Sequence, residues 1–373
     1  MHGLRTVPAV IAAALLWAGA RAACASPSSA DPRACDRIGA HLLALEDPAS
    51  EVRRAAARSL GRTHDPRAVG ALIATLDDEA PDVRGIAVVS LSRHGTRAVE
   101  RLTAALHDPD EAIRRGACES LGLIGHPQAL PALENALADR EPDVRSMAAW
   151  AAGRLRDARG AEILITALRD DAAIVRREAA YALGQLDDAR AVRPLCEALN
   201  DADINVRLSA ATALGSLRDQ GAVPALVARL DDYDITVQCE AARALGKLGG
   251  ATAATPLIKL LSSSKPRLRA AAAHALGQTR DPQAILPLIH LLMDSQYMVR
   301  AACVDGLVAI GGAAAEPLIQ ALRGPDLNAR LAAVEALIQL RDQRAIPALR
   351  TLLSDAEARM RAEAFAALQA LEH

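Results

Sequence analysis

A Val-Arg pair, or a close variant of it, returns eleven times at almost fixed spacing, and this period constrains the fold more than any other property of the chain. The pairs are Val52-Arg53, Val83-Arg84, Ile113-Arg114, Val144-Arg145, Val175-Arg176, Val206-Arg207, Val237-Gln238, Leu268-Arg269, Val299-Arg300, Ala329-Arg330 and Met360-Arg361. Eight of the ten intervals are 31 residues and two are 30. Periods of this size mark arrays of one supersecondary unit. Each unit reads as a helix (A), a tight turn and a second helix (B). Such a pair cannot bury its apolar face alone, so neighbours must stack into one continuous core. The expected fold is all-α, a solenoid of about eleven helix pairs.

Helix B carries the plainest pattern. Counting from Val175, positions 0, +4, +8 and +11 are Val175, Ala179, Leu183 and Leu186; one repeat later they are Val206, Ala210, Leu214 and Leu217. These fall on one arc of a helix with 3.6 residues per turn. Gly follows at +9 in Gly61, Gly122, Gly153, Gly184, Gly215, Gly246 and Gly277. Helix A carries a Leu in ten repeats, from Leu72 to Leu349, and His41 replaces it in the first, as expected of a terminal cap with one solvent face. Asp65-Pro66 and Asp281-Pro282 are an N-cap followed by Pro in the first helical position. A second Pro inside helix A (Pro131, Pro194, Pro224, Pro256, Pro287, Pro317, Pro347) should kink the helix or restart it. Phe365, the sole Phe, is expected near the core side of the last helix, plugging the stack.

Composition narrows the function. Aromatic residues are 2% of the 373 and net charge is -2, so no basic, aromatic footprint for nucleic acid is present. Residues 1–25 read as a secretory signal: Arg5, an apolar run from Ala9 to Ala20, and Ala23-Cys24-Ala25 as a cleavage site. The run is too short for a transmembrane span. Residues 26–33 read as a linker and 34–373 as the repeat array. Localisation is therefore expected to be periplasmic or extracellular. A lipid anchor at Cys24 is the alternative, and Arg21 stands where a lipobox carries Leu. Cys35, Cys118, Cys196, Cys239 and Cys303 lie on separate repeats, and the last four read as small buried hydrophobes without a disulfide.

No GxSxG, P-loop, GxGxxG or HExxH motif occurs, and no Cys/His metal spacing, so no catalytic residue, cofactor or metal is expected. His64, His94 and His126 fall on one edge, near the B-to-A turns, where solvated loop histidines are expected.

The repeated pattern D-x-x-x-x-V-R-x-x-A-A-x-A-L-G-x-L resembles a HEAT repeat, of the short kind found in phycobilisome-lyase-like proteins, over about residues 34–371. That resemblance implies a right-handed, armadillo-like superhelix whose B helices line a concave face. It also implies a ladder in which an Asp of the A–B turn and an Arg six residues later link neighbouring repeats. The Asp is present in nine copies (Asp47, Asp78, Asp108, Asp139, Asp170, Asp201, Asp232, Asp294, Asp355) and departures fall at Gln238, Ser263 and Gly324. Gln238 and Ser263, with Gly249-Gly250 between them, suggest a softer joint between repeats 7 and 8. Among similar proteins are a tetrapyrrole lyase and an iron-dependent hydroxylase with His-Glu ligands; no lyase residue maps here and the chain has no His-Glu dipeptide. An enzyme or accessory of either kind is the rival reading.

The preferred reading is a non-enzymatic scaffold holding a protein or peptide on the concave face. Opposite the buried stripe lie positions +2 and +6. Trp150 and Tyr181 occupy +6 in adjacent repeats, Met147 and Arg154 flank Trp150, Arg58 shares the +6 series, and Arg54, Arg115 and Arg177 fall at +2. Aromatic and Arg side chains together are what binding hot spots favour. The competing reading has both aromatics folded down over the Gly at +9 as packing. Asp305, Glu335 and Glu363 make the C-terminal part of this face acidic.

Overall fold

The structure is a computed structural model that describes residues 32–372, with side chains from residue 38. The signal, Cys24, the linker as far as Asp31, and the Cys35 side chain lie outside the described residues. The described chain is an all-α solenoid, packed as two compact units divided after Leu155.

The first unit holds four A/B pairs: α1 (Pro32–Ala44) with α2 (Ser50–Leu60), α3 (Pro66–Ala74) with α4 (Pro81–Arg93), α5 (Thr96–Ala105) with α6 (Glu111–Ile124), and α7 (Leu130–Ala136) with α8 (Pro142–Arg154). The second holds seven: α9 (Gly160–Ala167) with α10 (Ala173–Leu186), α11 (Val192–Ala198) with α12 (Ile204–Leu217), and α13 (Val223–Ala228) with α14 (Ile235–Leu248). These continue as α15 (Ala251–Leu260) with α16 (Pro266–Thr279), α17 (Ile285–His290) with α18 (Tyr297–Ile310), α19 (Ala315–Ala321) with α20 (Leu327–Leu340), and α21 (Ile346–Leu352) with α22 (Ala358–Glu372).

The core within each unit follows the repeat. The A-helix leucines from Leu72 to Leu349 are fully buried, as are Val175, Ala179 and Leu183 and their equivalents in most copies. His41, by contrast, is half-buried on α1. B helices pack on one another through small residues. A Cβ on Gly184 would come within 2.8 Å of Ala213 Cα, one on Gly246 within 2.7 Å of Ala275 Cα, and one on Gly277 within 2.5 Å of Gly306 Cα. Gly at +9 therefore faces a small residue at +7 of the next repeat, and the backbones approach as only small side chains allow. Where the +9 residue is Ser92, Val308 or Ile338, backbone contact between successive B helices is sparser.

The interior Pro restarts helix A. Six A helices are preceded by a 3₁₀ turn, as at Pro127–Ala129 and Gln343–Ala345, and the α segment then begins with Pro among its first three residues. Asp188, Asp219, Asp281 and Asp342 each accept the backbone N–H two residues on and cap that turn. Pro256 is the exception and lies inside α15. The residue that ends helix B adopts left-handed φ in Arg156, Asp187, Arg218, Arg280 and Arg341, a conformation that costs an L-residue energy.

The Asp–Arg ladder is present as six rungs within the two units: Arg53–Asp78, Arg114–Asp139, Arg176–Asp201, Arg207–Asp232, Arg269–Asp294 and Arg330–Asp355. In the first, Arg53 Nη1 donates to the Asp47 and Pro48 carbonyls of its own turn, while Nε and Nη2 reach the Asp78 carboxylate of the next repeat at 2.7 and 2.8 Å. Each Asp also accepts the N–H two residues on, as Ala80 N donates to Asp78 at 2.9 Å. Arg207 and Asp232 are the most enclosed pair, at 2% and 1% side-chain exposure. Tyr233 lies over that guanidinium, 4.4 Å from ring centre to Arg207 Cζ.

Two expectations change, on Phe365 and Cys196, and one departure from the ladder is bridged in another way. The joint between repeats 7 and 8 keeps a bridge of different chemistry: Gln238 Nε2 donates to the Asp232 carbonyl at 2.7 Å and Lys265 Nζ donates to Gln238 Oε1 at 3.2 Å. Phe365 is 57% exposed instead of lying on the core side. It occupies +5, a position that is buried in all ten preceding repeats, and no further B helix follows α22 in the described residues. Cys118, Cys239 and Cys303 are buried free thiols, but Cys196 is half-buried. Burial pushes the Cys118 and Cys303 thiols up to about 12, which leaves them inert. Among the described residues no single helix is long and apolar enough to cross a membrane.

Candidate functional site

Position +6 points to solvent because 0, +4 and +8 turn inward and +5 and +7 pack between B helices. Arg58, Val89, Tyr181, Thr212, Arg243, His274, Asp305, Glu335 and Ala366 are exposed, and Glu119 and Trp150 are half-buried. The +2 side is closer to the neighbouring helix: Arg54, Arg115 and Arg177 are half-buried, and Ser146 and Cys239 are buried.

In the first unit, Trp150 of α8 leans onto α6. A Cβ on Gly122 would stand 2.7 Å from Trp150 Cζ3, so the missing side chain is what lets the ring settle there. The Arg154 guanidinium lies 5.5 Å from the ring centre, a cation–π contact one helical turn away. Part of the indole is thus seated on Gly122, as the packing reading has it, and part is left in contact with Arg154 and solvent. Met147 is half-buried and Arg154 exposed on the same helix. Arg54 is committed to Asp82 at 3.2 Å, whereas Arg58 projects into solvent. Tyr181 and Arg177 belong to the second unit. Tyr181 is 46% exposed on α10, and Arg177 lies 3.5 Å from Glu178.

The histidine edge departs from expectation at one residue. His94 is buried and its Nε2 lies 3.2 Å from the Leu60 carbonyl; burial holds its pKa below the usual histidine range. His94 ends α4 against Gly61, so its ring is covered where a loop histidine would be free. His126 Nδ1 accepts the Gln128 N–H at 3.4 Å as a cap. No group of three His, Cys, Asp or Glu among the described residues could hold a metal ion.

A groove of about 330 Å³ lies between α18, α20 and α22; Glu335 and Glu363 of the acidic series line it, and its other residues were not singled out from the pattern. Val304, Leu331 and Ile338 form its apolar lining, with Tyr297, Arg300 and Arg359 beside them. Its traces in the sequence are small: the +9 Gly becomes Val308 and Ile338, the ladder Asp becomes Gly324, and the interval shortens to 30.

The family model for HEAT repeats matches residues 39–106, 99–184, 130–203, 161–235, 192–268, 254–318 and 315–373. The chain belongs to the HEAT-repeat family. Among solved structures, the HEAT-repeat chain is similar to an engineered protein at 22% identity, covering 90% of this chain and 99% of that one with a TM-score of 0.41. It is also similar to the complex of CpcE and CpcF of phycocyanin lyase from Nostoc sp. PCC7120, at 25% identity over 65% and 94% of the two chains, TM-score 0.40. A third similarity is to YibA of Escherichia coli, at 18% identity over 79% and 98%, TM-score 0.45. No curated protein matches the sequence.

Proposed function

We propose that this protein is a non-enzymatic HEAT-repeat scaffold, exported from the cell, that holds a protein or peptide partner on the exposed face of its B helices. The observation that carries the reading is the Trp150 arrangement: a large aromatic in a chain with 2% aromatics, seated on Gly122, flanked by Met147 and topped by the Arg154 guanidinium. An aromatic anchored at its base pays little ordering entropy on binding, and Trp and Arg dominate binding energy where they occur. Arg115, Arg58 and Tyr181 extend the chemistry to other repeats, each on the same helical face. Export is supported by the character of residues 1–25.

Photo-crosslinking in the native cell envelope, from an unnatural residue at the +6 position of α6, tests the surface. Trp150→Ala is expected to abolish the partner adduct, and Arg154→Ala, which leaves the indole on Gly122, to weaken it about tenfold. Unchanged adducts from both folded variants would refute the surface. Full-length chain retained in the cytoplasm would refute export. Iron or a tetrapyrrole absorption band in purified protein would favour the enzymatic alternative.

A further inference from the structure

In the sixth rung Arg330 Nη1 donates to Asp355 itself; in the other five the arginine is held twice. Nη1 is pinned by carbonyls of its own A–B turn, and the Nε/Nη2 side faces the carboxylate of the next repeat. Arg300 keeps the first half of this arrangement: Nη1 donates to the Asp294 carbonyl at 2.7 Å and the Ser295 carbonyl at 3.2 Å. It lacks the second half, because Gly324 stands where the Asp would be. The guanidinium is therefore oriented as in a rung, with no carboxylate opposite it. Tyr297, 73% exposed, stands beside it with its ring centre 5.8 Å from Arg300 Cζ.

The missing rung opens onto a shaped space. α18 and α20 have lost the Gly at +9 that draws other B helices together, and the groove lined by Val304, Leu331 and Ile338 lies beside Arg300. Arg84 is the internal control. It too donates to the carbonyls of its own turn, at 2.7 and 3.1 Å, and forms no ion pair.

We propose that the α18–α20–α22 groove binds an extended peptide segment of a partner protein through one Asp side chain, which takes the place of the absent rung carboxylate on Arg300. Apolar neighbours of that Asp lie on Val304, Leu331 and Ile338. An aspartate is the occupant because that is what the same fork holds in five of the six rungs, bidentate and largely desolvated. Glu335 and Glu363 also line the groove and disfavour a second acidic residue. The site is independent of the Trp150 surface and stands or falls separately.

The test uses the full chain and amidated, N-acetylated pentapeptides carrying a neutral dye, read by fluorescence anisotropy. Ala-Leu-Asp-Leu-Ala is expected to bind roughly tenfold tighter than Ala-Leu-Asn-Leu-Ala, as a charge-assisted fork contact requires. Arg300→Gln is expected to erase that preference without unfolding the chain, because Gln238 already occupies the equivalent position and keeps the carbonyl hydrogen bond. Arg84→Gln should leave the preference intact. Equal binding of the two peptides, no binding of either, or a preference that survives Arg300→Gln overturns the proposal. So does equal binding of Ala-Leu-Ala-Leu-Ala with a free C-terminal carboxylate, which would assign the site to chain ends.

Discussion

Asp232 and Arg207 show what a single rung contributes. Both side chains are removed from water, so each charge depends on the other, and removing one partner strands the second. Asp232→Ala is expected to lower the local stability around α12 and α14 by about 3 kcal/mol, measured by native-state hydrogen exchange. Arg159→Ala, which breaks a solvent-screened pair with Asp157 within one turn, should leave local stability essentially unchanged in the same measurement. The rungs were legible in the sequence because Asp and Arg recur at a fixed offset. The Tyr233 cover on Arg207 and the Lys265 bridge to Gln238 were not, because each occurs once and only the fold brings the partners together. Trp150 was legible as a surface residue, but its seat on Gly122 needed the spacing between α6 and α8.

At the scale of elements, glycine has opposite meanings within one helix type. Helix propensity alone predicts that Gly→Ala stabilises a helix interior by about 1 kcal/mol. At Gly85 in α4 nothing lies within 4 Å of the added Cβ, so Gly85→Ala should raise the melting temperature by a few degrees. At Gly277 the Cβ would meet Gly306 Cα at 2.5 Å, and backbone cannot step aside cheaply. Gly277→Ala should therefore destabilise by about 2 kcal/mol despite its better propensity, as overpacking does. Chemical denaturation of the two variants checks the sign of each. The periodic Gly marked a close approach in advance; which helix it approached was settled only by packing. Phe365 fails for a related reason, since its position is inner in a stacked repeat and outer on α22.

For the whole molecule, the sum of the rungs sets acid stability. Arg53 holds the Asp78 carboxyl below the usual carboxylate range, Arg176 and Arg269 do the same for Asp201 and Asp294, and Asp355 is held down by the Glu357 backbone N–H and then by Arg330. A depressed folded-state pKa means the unfolded chain binds more protons as pH falls. The stabilisation is full above about pH 4 and is lost as pH drops through the folded values. His94 acts earlier with the same sign. It is held neutral by burial, so protonation favours unfolding once pH falls below about 6.5. Acid titration followed by circular dichroism should show a shallow decline below that point and a steep loss below about pH 4. His94→Asn should remove only the shallow phase.

The two 30-residue intervals carry a consequence of their own. They follow Val83 and Val299, and Arg84 and Arg300 are the arginines there that make no ion pair. In both repeats the B-to-A connection is one residue shorter, while the leucines Leu102 and Leu318 still reach the core. A connection one residue shorter thus accompanies, in both places, an arginine that holds its own turn and not the next repeat, and after Arg300 the ladder Asp is replaced as well, by Gly324. An array with this arithmetic can acquire an anion receptor without inventing any new side chain.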